Sequence, residues 1–177
     1  MTVMDETAPG ELAVIERFVN TADLEAGTDE FRDLASLTAW LRAAGLARGA
    51  FGEPERERLV AFREALRELL LANHGGDPEP AAIAALDGAA RLVVAFDADG
   101  TARLAPAKGG VDGVIAALVG IVARSQAEGT WSRLKACPAT TCGWAFYDHS
   151  RNHSRTWCTM SVCGNRAKAR SFRARQR

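Results

Sequence analysis

Four cysteines, all lying between positions 137 and 163, constrain this chain more than any other feature. They form two pairs of identical internal spacing, "CPATTC" and "CTMSVC", in the pattern C-x4-C-x15-C-x4-C, and the chain holds no other cysteine. Structural zinc takes four soft ligands in a tetrahedron, typically from two short turns with two to four residues between the cysteines. Each turn grips one edge of the tetrahedron, and the x15 segment is long enough to leave and return as a hairpin. In that segment "WAFYD" alternates large apolar and other residues, "HSRNHS" is rich in turn formers and "RTWC" leads back. Pro138 and Gly164, each directly after a cysteine, suit tight backbone around a metal. Two other readings compete. A pair of disulfides needs an oxidising compartment, and four unligated core thiols leave the matched spacing unexplained. The spacing points to one structural zinc ion per chain on Cys137, Cys142, Cys158 and Cys163. Four thiolates close the shell, whereas a catalytic zinc keeps a position open for water. His149 and His153, in the intervening turn, could in principle replace a cysteine; otherwise they are exposed turn residues able to touch phosphate when protonated.

The formal net charge of zero conceals a division. Residues 131–177 carry ten Lys and Arg against a single acid, Asp148, while residues 1–130 carry 12 basic and 21 acidic side chains. Such asymmetry points to a polyanion-binding segment attached to a non-binding one. A merely solvated basic tail would explain the charge but not the cysteines. The tail itself, "GNRAKARSFRARQR", lacks proline, contains strong helix formers and offers Asn165 as an N-cap. On a helix, Arg166, Arg170, Arg173 and Arg177 form one stripe at i, i+4, i+7 and i+11. Ala169 and Phe172 form another face, expected to pack on Trp144, Phe146 and Trp157. The candidate nucleic-acid contacts are Arg151, Arg155, Arg166, Lys168, Arg170, Arg173 and Arg175. For Arg175 and Arg177 a solvated charge is an equal reading, and Asn165 and Arg166 are read first as bracing the zinc turn.

Residues 1–130 read mainly as helix. "ELAVIERFVNTA" sets Leu12, Ile15, Phe18, Val19 and Ala22 on one face; "SLTAWLRAAG" runs from an N-cap Ser36 to Gly45; "EPERERLVAFREALRELLLANHGG" is a long helix ended by Gly75-Gly76. "DPEPAAIAALDGA" is another, opened by Asp77 with Pro78 at its first position. The period then changes: "RLVVAF" and "TARLAP" flank a turn with Asp99-Gly100 at its tip, a β-hairpin. "VDGVIAALVGIVARSQAEG" returns to helix, apolar on most sides and therefore buried. The charge shift places a boundary at Gly129 or Thr130.

The acidic start "MTVMDETAPGE" has no basic n-region and no apolar h-region, and the run Val114 to Ala123 is shorter than a bilayer crossing, so a cytoplasmic protein without a membrane partner is expected. No catalytic constellation stands out, and no enzyme is expected. His74 reads as a helix-end cap, and the acids, often near arginines at helical spacing, read as solvated faces. Asn20 and Thr21 interrupt an apolar face, where they cap the next turn or line a small ligand pocket.

From Cys137 to Arg177, and above all in "WCTMSVCGNRAKARSFRARQR", the chain resembles the CGNR zinc-finger family of bacterial proteins, whose name is spelled by Cys163-Gly164-Asn165-Arg166. "YDHSRNHSRTWC" likewise resembles that family's "D-x-S-R-N…R-x-W-C". The resemblance implies that the four cysteines are zinc ligands and that the finger is a DNA-binding element. "FVNTAD", "LTAWLRAAGL" and the long arginine-leucine helix are similar to the companion ABATE-type domain, which implies a stress-induced transcription regulator. The expected fold is mainly α with a β-hairpin over 1–130, then over 131–177 a small treble-clef-like four-cysteine finger made of a hairpin and a basic helix. The expected function is a zinc-containing, DNA-binding transcription regulator whose residues 1–130 sense a small-molecule effector or mediate assembly, as in a homodimer. The alternative is a zinc module that binds RNA or docks on an acidic protein surface.

Overall fold

Apolar residues recurring every three and four positions fold the first part of the chain into helices. A computed structural model describes residues 7–47 and 49–176. Helix α1 (Leu12–Val19) buries Leu12, Ile15, Phe18 and Val19. It stops at Asn20, so Ala22, expected on its face, instead begins a two-residue strand, β1 (Ala22–Asp23), paired antiparallel with β2 (Thr28–Asp29). Helix α2 (Leu34–Ala43) starts earlier than the expected cap: the Asp33 carboxylate accepts the Ser36 N–H at 2.7 Å, so aspartate caps and serine is capped. Gly45 closes it at φ +70°, the left-handed position expected of it.

The long helix is α3 (Glu53–Ala72). Its first turn holds Pro54, and Glu55 Oε2 accepts the Gly52 N–H at 2.9 Å. Helix α4 (Pro80–Leu86) begins at Pro80, two residues beyond the expected Pro78, because Glu79 rather than Asp77 stands in the flanking position. Strands β3 (Leu92–Phe96) and β4 (Ala102–Pro106) form the expected hairpin, with Gly100 at φ +84° in its turn. Helix α5 (Gly110–Ala127) buries Val111, Val114, Ile115, Ala116, Leu118 and Ile121. It extends beyond the apolar run read from the sequence. Among the described residues it is the one helix long and apolar enough, at a mean hydropathy of 1.3, to cross a membrane; here 44% of it is buried in the core.

A tilted aromatic group anchors that core: Phe18 lies 5.6 Å from Phe31, 5.7 Å from Trp40 and 6.3 Å from Phe62 between ring centres. Two arginines of α3, Arg63 and Arg67, are buried with it, although the acids beside them read as a solvated face. The Arg63 guanidinium donates to Asp29 at 2.7 and 2.8 Å and to Thr21 Oγ1. Arg67 donates to the carbonyls of Val19, Ala22 and Gly143. Buried guanidinium requires such partners, and backbone carbonyls at the end of α1 supply them.

The last third opens with a short 3-10 turn, Trp131–Arg133, then β5 (Leu134–Ala136) and β6 (Ala145–Tyr147), paired antiparallel. Leu134, Ala136, Ala145 and Tyr147 belong to the same apolar cluster as α1, α3 and α5. The charge changes at 130; the core continues across it. A wide π-type turn, Met160–Gly164, leads into helix α6 (Asn165–Arg175).

Candidate metal centre and basic helix

The first cysteine pair sits in the connection between β5 and β6. Backbone hydrogen bonds shape it: Cys137 N–H donates to the Trp144 carbonyl at 2.9 Å and Cys142 N–H to the Ala139 carbonyl at 2.8 Å. Gly143 follows at φ +60°, where a side chain would meet Leu24 and the Arg67 guanidinium arm. Of the second pair, Cys158 lies just before the π-type turn that leads into α6 and Cys163 lies within it. This corrects the expected hairpin within the x15 segment. Of that segment only Ala145–Tyr147 is strand, and its partner lies upstream of Cys137. The hairpin embraces the first pair of ligands rather than joining the two pairs.

The four sulfurs converge. All lie within 4.8 Å of one another, and all four residues are buried free thiols. Cys142 Sγ is 3.5 Å from Cys158 Sγ, which is 3.7 Å from Cys163 Sγ. Tetrahedral zinc–thiolate bonds of about 2.3 Å require sulfur–sulfur edges of about 3.8 Å, so the spacing fits one zinc ion. Electrostatics agree. Burial and the neighbouring thiols push the Cys158 thiol well up, and burial pushes Cys163 up to about 12. At Cys137 burial acts the same way, but backbone N–H groups of Cys158 and Ala139 outweigh it and hold the thiol below its usual value. A cation among the sulfurs would offset the burial that disfavours ionisation at Cys158 and Cys163. Ala139, Phe146 and Trp157 pack around the sulfurs and enclose the site.

A buried ion pair fixes the loop between β6 and Cys158. Asp148 is 0% exposed; its Oδ2 accepts Lys135 Nζ at 2.8 Å and the Arg155 N–H at 2.9 Å. Its Oδ1 accepts the N–H and hydroxyl of Ser150 at 2.9 and 2.6 Å. Lys135 also donates to the carbonyls of His153 and Arg155. Burial alone would raise the Asp148 carboxyl, but hydrogen bonds from Lys135 and Ser150 overcome it and hold the pKa at about 2. Asp148 had counted in the sequence only as the lone acid of a basic segment. The Asp-x-Ser spacing was the available signal: a carboxylate two residues before a serine closes a local turn.

Side chains of the helical part hold this unit in place. The Asn20 amide donates to the Ala145 carbonyl at 2.9 Å, and its oxygen accepts the Ala145 N–H at 2.7 Å, so a side chain completes the edge of β6. Thr21 Oγ1 donates to the Phe18 carbonyl at 2.8 Å and accepts Arg63. Both side chains are engaged within the fold, which favours a structural role at these positions over the lining of a ligand pocket. A cavity of about 570 Å³ lies elsewhere, between the segment after α2 and the start of α5, with Leu46, Phe51, Pro106 and Ala117 among its walls. At the end of α3, Asn73 donates to the carbonyls of Trp131 and Leu134 and His74 Nε2 to that of Ala136 at 2.8 Å. His74 caps the neighbouring strand rather than its own helix.

The candidate nucleic-acid residues separate into three groups. Arg155 turns inward: its guanidinium donates to the carbonyls of Trp157 and Cys158 and stacks 4.7 Å over the Phe146 ring. Arg166 meets Glu25 of the β1–β2 turn at 2.6 Å, and Asn165 donates to the Ser161 carbonyl at 3.0 Å, so both brace the turn, and Asn165 opens the helix without capping it. Arg151, Lys168, Arg170, Arg173 and Arg175 are exposed. Arg166, Arg170 and Arg173 share one side of α6, and Lys168 and Arg175, seven apart, share the opposite side. Arg177 lies outside the described residues. No residue of α6 is buried, and Phe172 is 55% exposed. This corrects the expected packing of Ala169 and Phe172: Arg155 stacks on Phe146 and Trp157 packs against the sulfur cluster, while Trp144 stays exposed.

The family model described as "CGNR zinc finger" matches residues 133–176, and that described as "Putative stress-induced transcription regulator", ABATE, matches residues 12–129, more than half of the chain. No curated protein matches it. Four converging cysteines at the head of a basic helix, joined to a helical core that the second model spans almost entirely, place this chain in the ABATE family, with a CGNR zinc finger as its C-terminal part.

Proposed function

We propose that this zinc-binding regulator acts in the cytoplasm as a DNA-binding transcription regulator and that α6 is its contact with the duplex. The observation that supports the reading is the state of α6: five cations in eleven residues, no acid among them, and no residue buried. A helix that buries none of its side chains gains no stability from a core and depends on what holds its end. The cysteine turn holds its start, and phosphates are the complement its surface asks for. Binding, not catalysis, is the proposed activity, since four thiolates leave zinc no open position. The helical part carries the finger through Asn20, Arg67, Asn73 and His74 and acts as its frame.

The test is fluorescence anisotropy of the zinc-loaded full chain on labelled duplex DNA across a salt series. Arg170→Ala and Arg173→Ala are each expected to lower the slope of log affinity against log salt by about one. A chain without affinity for duplex, or an unchanged slope in both variants, would sink the reading. Tighter binding to RNA of equal length would reassign the ligand.

A further inference from the structure

The β3–β4 hairpin carries the two most exposed large apolar side chains among the described residues. Phe96 is 71% exposed and Val94 64%, with Val93 and Leu104 beside them. β4 is the only strand paired with β3 among the described residues. An isolated two-stranded hairpin is marginal in water, and an uncovered apolar edge is a template for another strand.

The two edges of this hairpin are not equivalent. The Asp97 N–H donates to the Thr101 carbonyl and the Ala107 N–H to the Arg91 carbonyl. Alternation along the strand therefore turns the N–H and C=O groups of Val93 and Ala95 toward β4, and those of Leu92, Val94 and Phe96 outward. On β4 the outward residues are Ala102, Leu104 and Pro106. Pro106 has no N–H to offer, and β4 packs against α5. The edge of β3 has no proline.

We propose that β3 is a self-association edge: two copies of this chain pair β3 with β3 antiparallel about a twofold axis at Val94, closing a four-stranded sheet. Three properties of the strand fit this occupant. Val94 then faces Val94, and Leu92 faces Phe96 of the second copy, so every outward N–H and C=O of the strand finds a partner. Arg91, just before β3, faces Asp97, just after it, and the relation repeats by symmetry, so the charges at the two ends are self-complementary. Phe96 covers Leu92 of the second copy on the apolar face. Asp97 already accepts Arg103 at 2.8 Å in its own chain, through Oδ1, and its other oxygen is available to Arg91 of the second copy. Five-residue strands bury less than a standard interface, so the dimer is weak, with a dissociation constant of about 1–100 µM.

Sedimentation equilibrium of the zinc-loaded full chain, without nucleic acid, tests this and is indifferent to whether α6 binds DNA. A monomer–dimer equilibrium is expected. Val94→Lys sets like charges against each other on the axis and is expected to weaken the dimer at least about tenfold. Arg91→Glu is expected to weaken it less, and Arg91→Glu with Asp97→Lys to recover it. Zinc content and circular dichroism confirm that each variant is folded, as all three positions are exposed. A monomer at every concentration, a dimer that Val94→Lys leaves intact, or a double variant no better than Arg91→Glu alone would each overturn the proposal.

Discussion

Helices α3 and α6 both carry an arginine pair four residues apart, Arg63 with Arg67 and Arg166 with Arg170, and the two pairs have opposite fates. The α3 pair is buried, 3% exposed at each residue, and engaged with Asp29, Glu64, Thr21 and backbone carbonyls. The α6 pair is on the surface, with Glu25 reaching Arg166 and Arg170 exposed. Spacing is the same in both. What differs is what lies opposite. α3 faces the end of α1, whose terminal carbonyls need donors, whereas α6 leaves the molecule after its first turn and faces none of its own core. Arginine in the first place holds the finger to its frame; in the second it is available to a partner.

The largest test of this contrast removes the device that lets α6 leave the core at all. Metal analysis is expected to find one zinc per chain, and Cys137→Ser or Cys163→Ser to abolish it. A structural zinc contributes on the order of 10 kcal/mol, so the finger should unfold as a unit. Because β5 and β6 lie in the common core, the helical part should also melt at lower temperature by calorimetry. An unchanged melting temperature would mean that the two parts are independent, against the packing described.

Asp148→Asn is the next largest. Replacing the buried carboxylate strands Lys135, itself 5% exposed, at an expected cost of about 3–5 kcal/mol by chemical denaturation. The sign with pH follows from a pKa lowered from 3.8 to about 2. The stabilisation from Asp148 is complete above about pH 4 and is lost as pH falls from about 4 to about 2. The gap between wild type and Asp148→Asn should narrow in that window by about 2 kcal/mol. A gap independent of pH would show that the carboxylate is not the stabilising form.

The smallest effects separate the two arginine helices directly. Arg67→Met keeps the apolar bulk of the side chain but removes the donor from the Gly143, Val19 and Ala22 carbonyls, at an expected cost of about 1–3 kcal/mol in all. Arg170→Met and Phe172→Ala, at exposed positions, should change stability by no more than about 0.5 kcal/mol. Thermal melts of the three variants side by side check this. A large loss from Phe172→Ala would restore the packing of α6 on the finger that its exposure argues against.

Several features were legible in the chain before any coordinates. The cysteine spacing announced a four-thiolate site, since few chemistries require two matched pairs, and the sulfurs do converge. Helix existence followed from periodicity, and the β3–β4 hairpin from alternation around Asp99-Gly100. Helix starts were less legible: the N-cap expected at Ser36 is Asp33, and the helix expected to open with Pro78 at its first position begins at Pro80. The role of a charged residue was least legible of all. Arg155, expected to meet nucleic acid, turns inward to carbonyls two and three residues on, and Arg67 and Asp148 are satisfied by a carbonyl and a lysine 76 and 13 residues away.

By itself, then, the sequence determined what depends on neighbours along the chain: periodic faces, turn chemistry, and a ligand set whose spacing suits one metal. Tertiary structure alone decided where the first hairpin of the finger begins, that its strands share the helical core, and which arginines are buried. The physical reason is range. Helix and turn preferences are set by residues within a few positions, whereas the Arg67 guanidinium and the Asn20 amide are satisfied by groups 76 and 125 residues away, and nothing local encodes such partners.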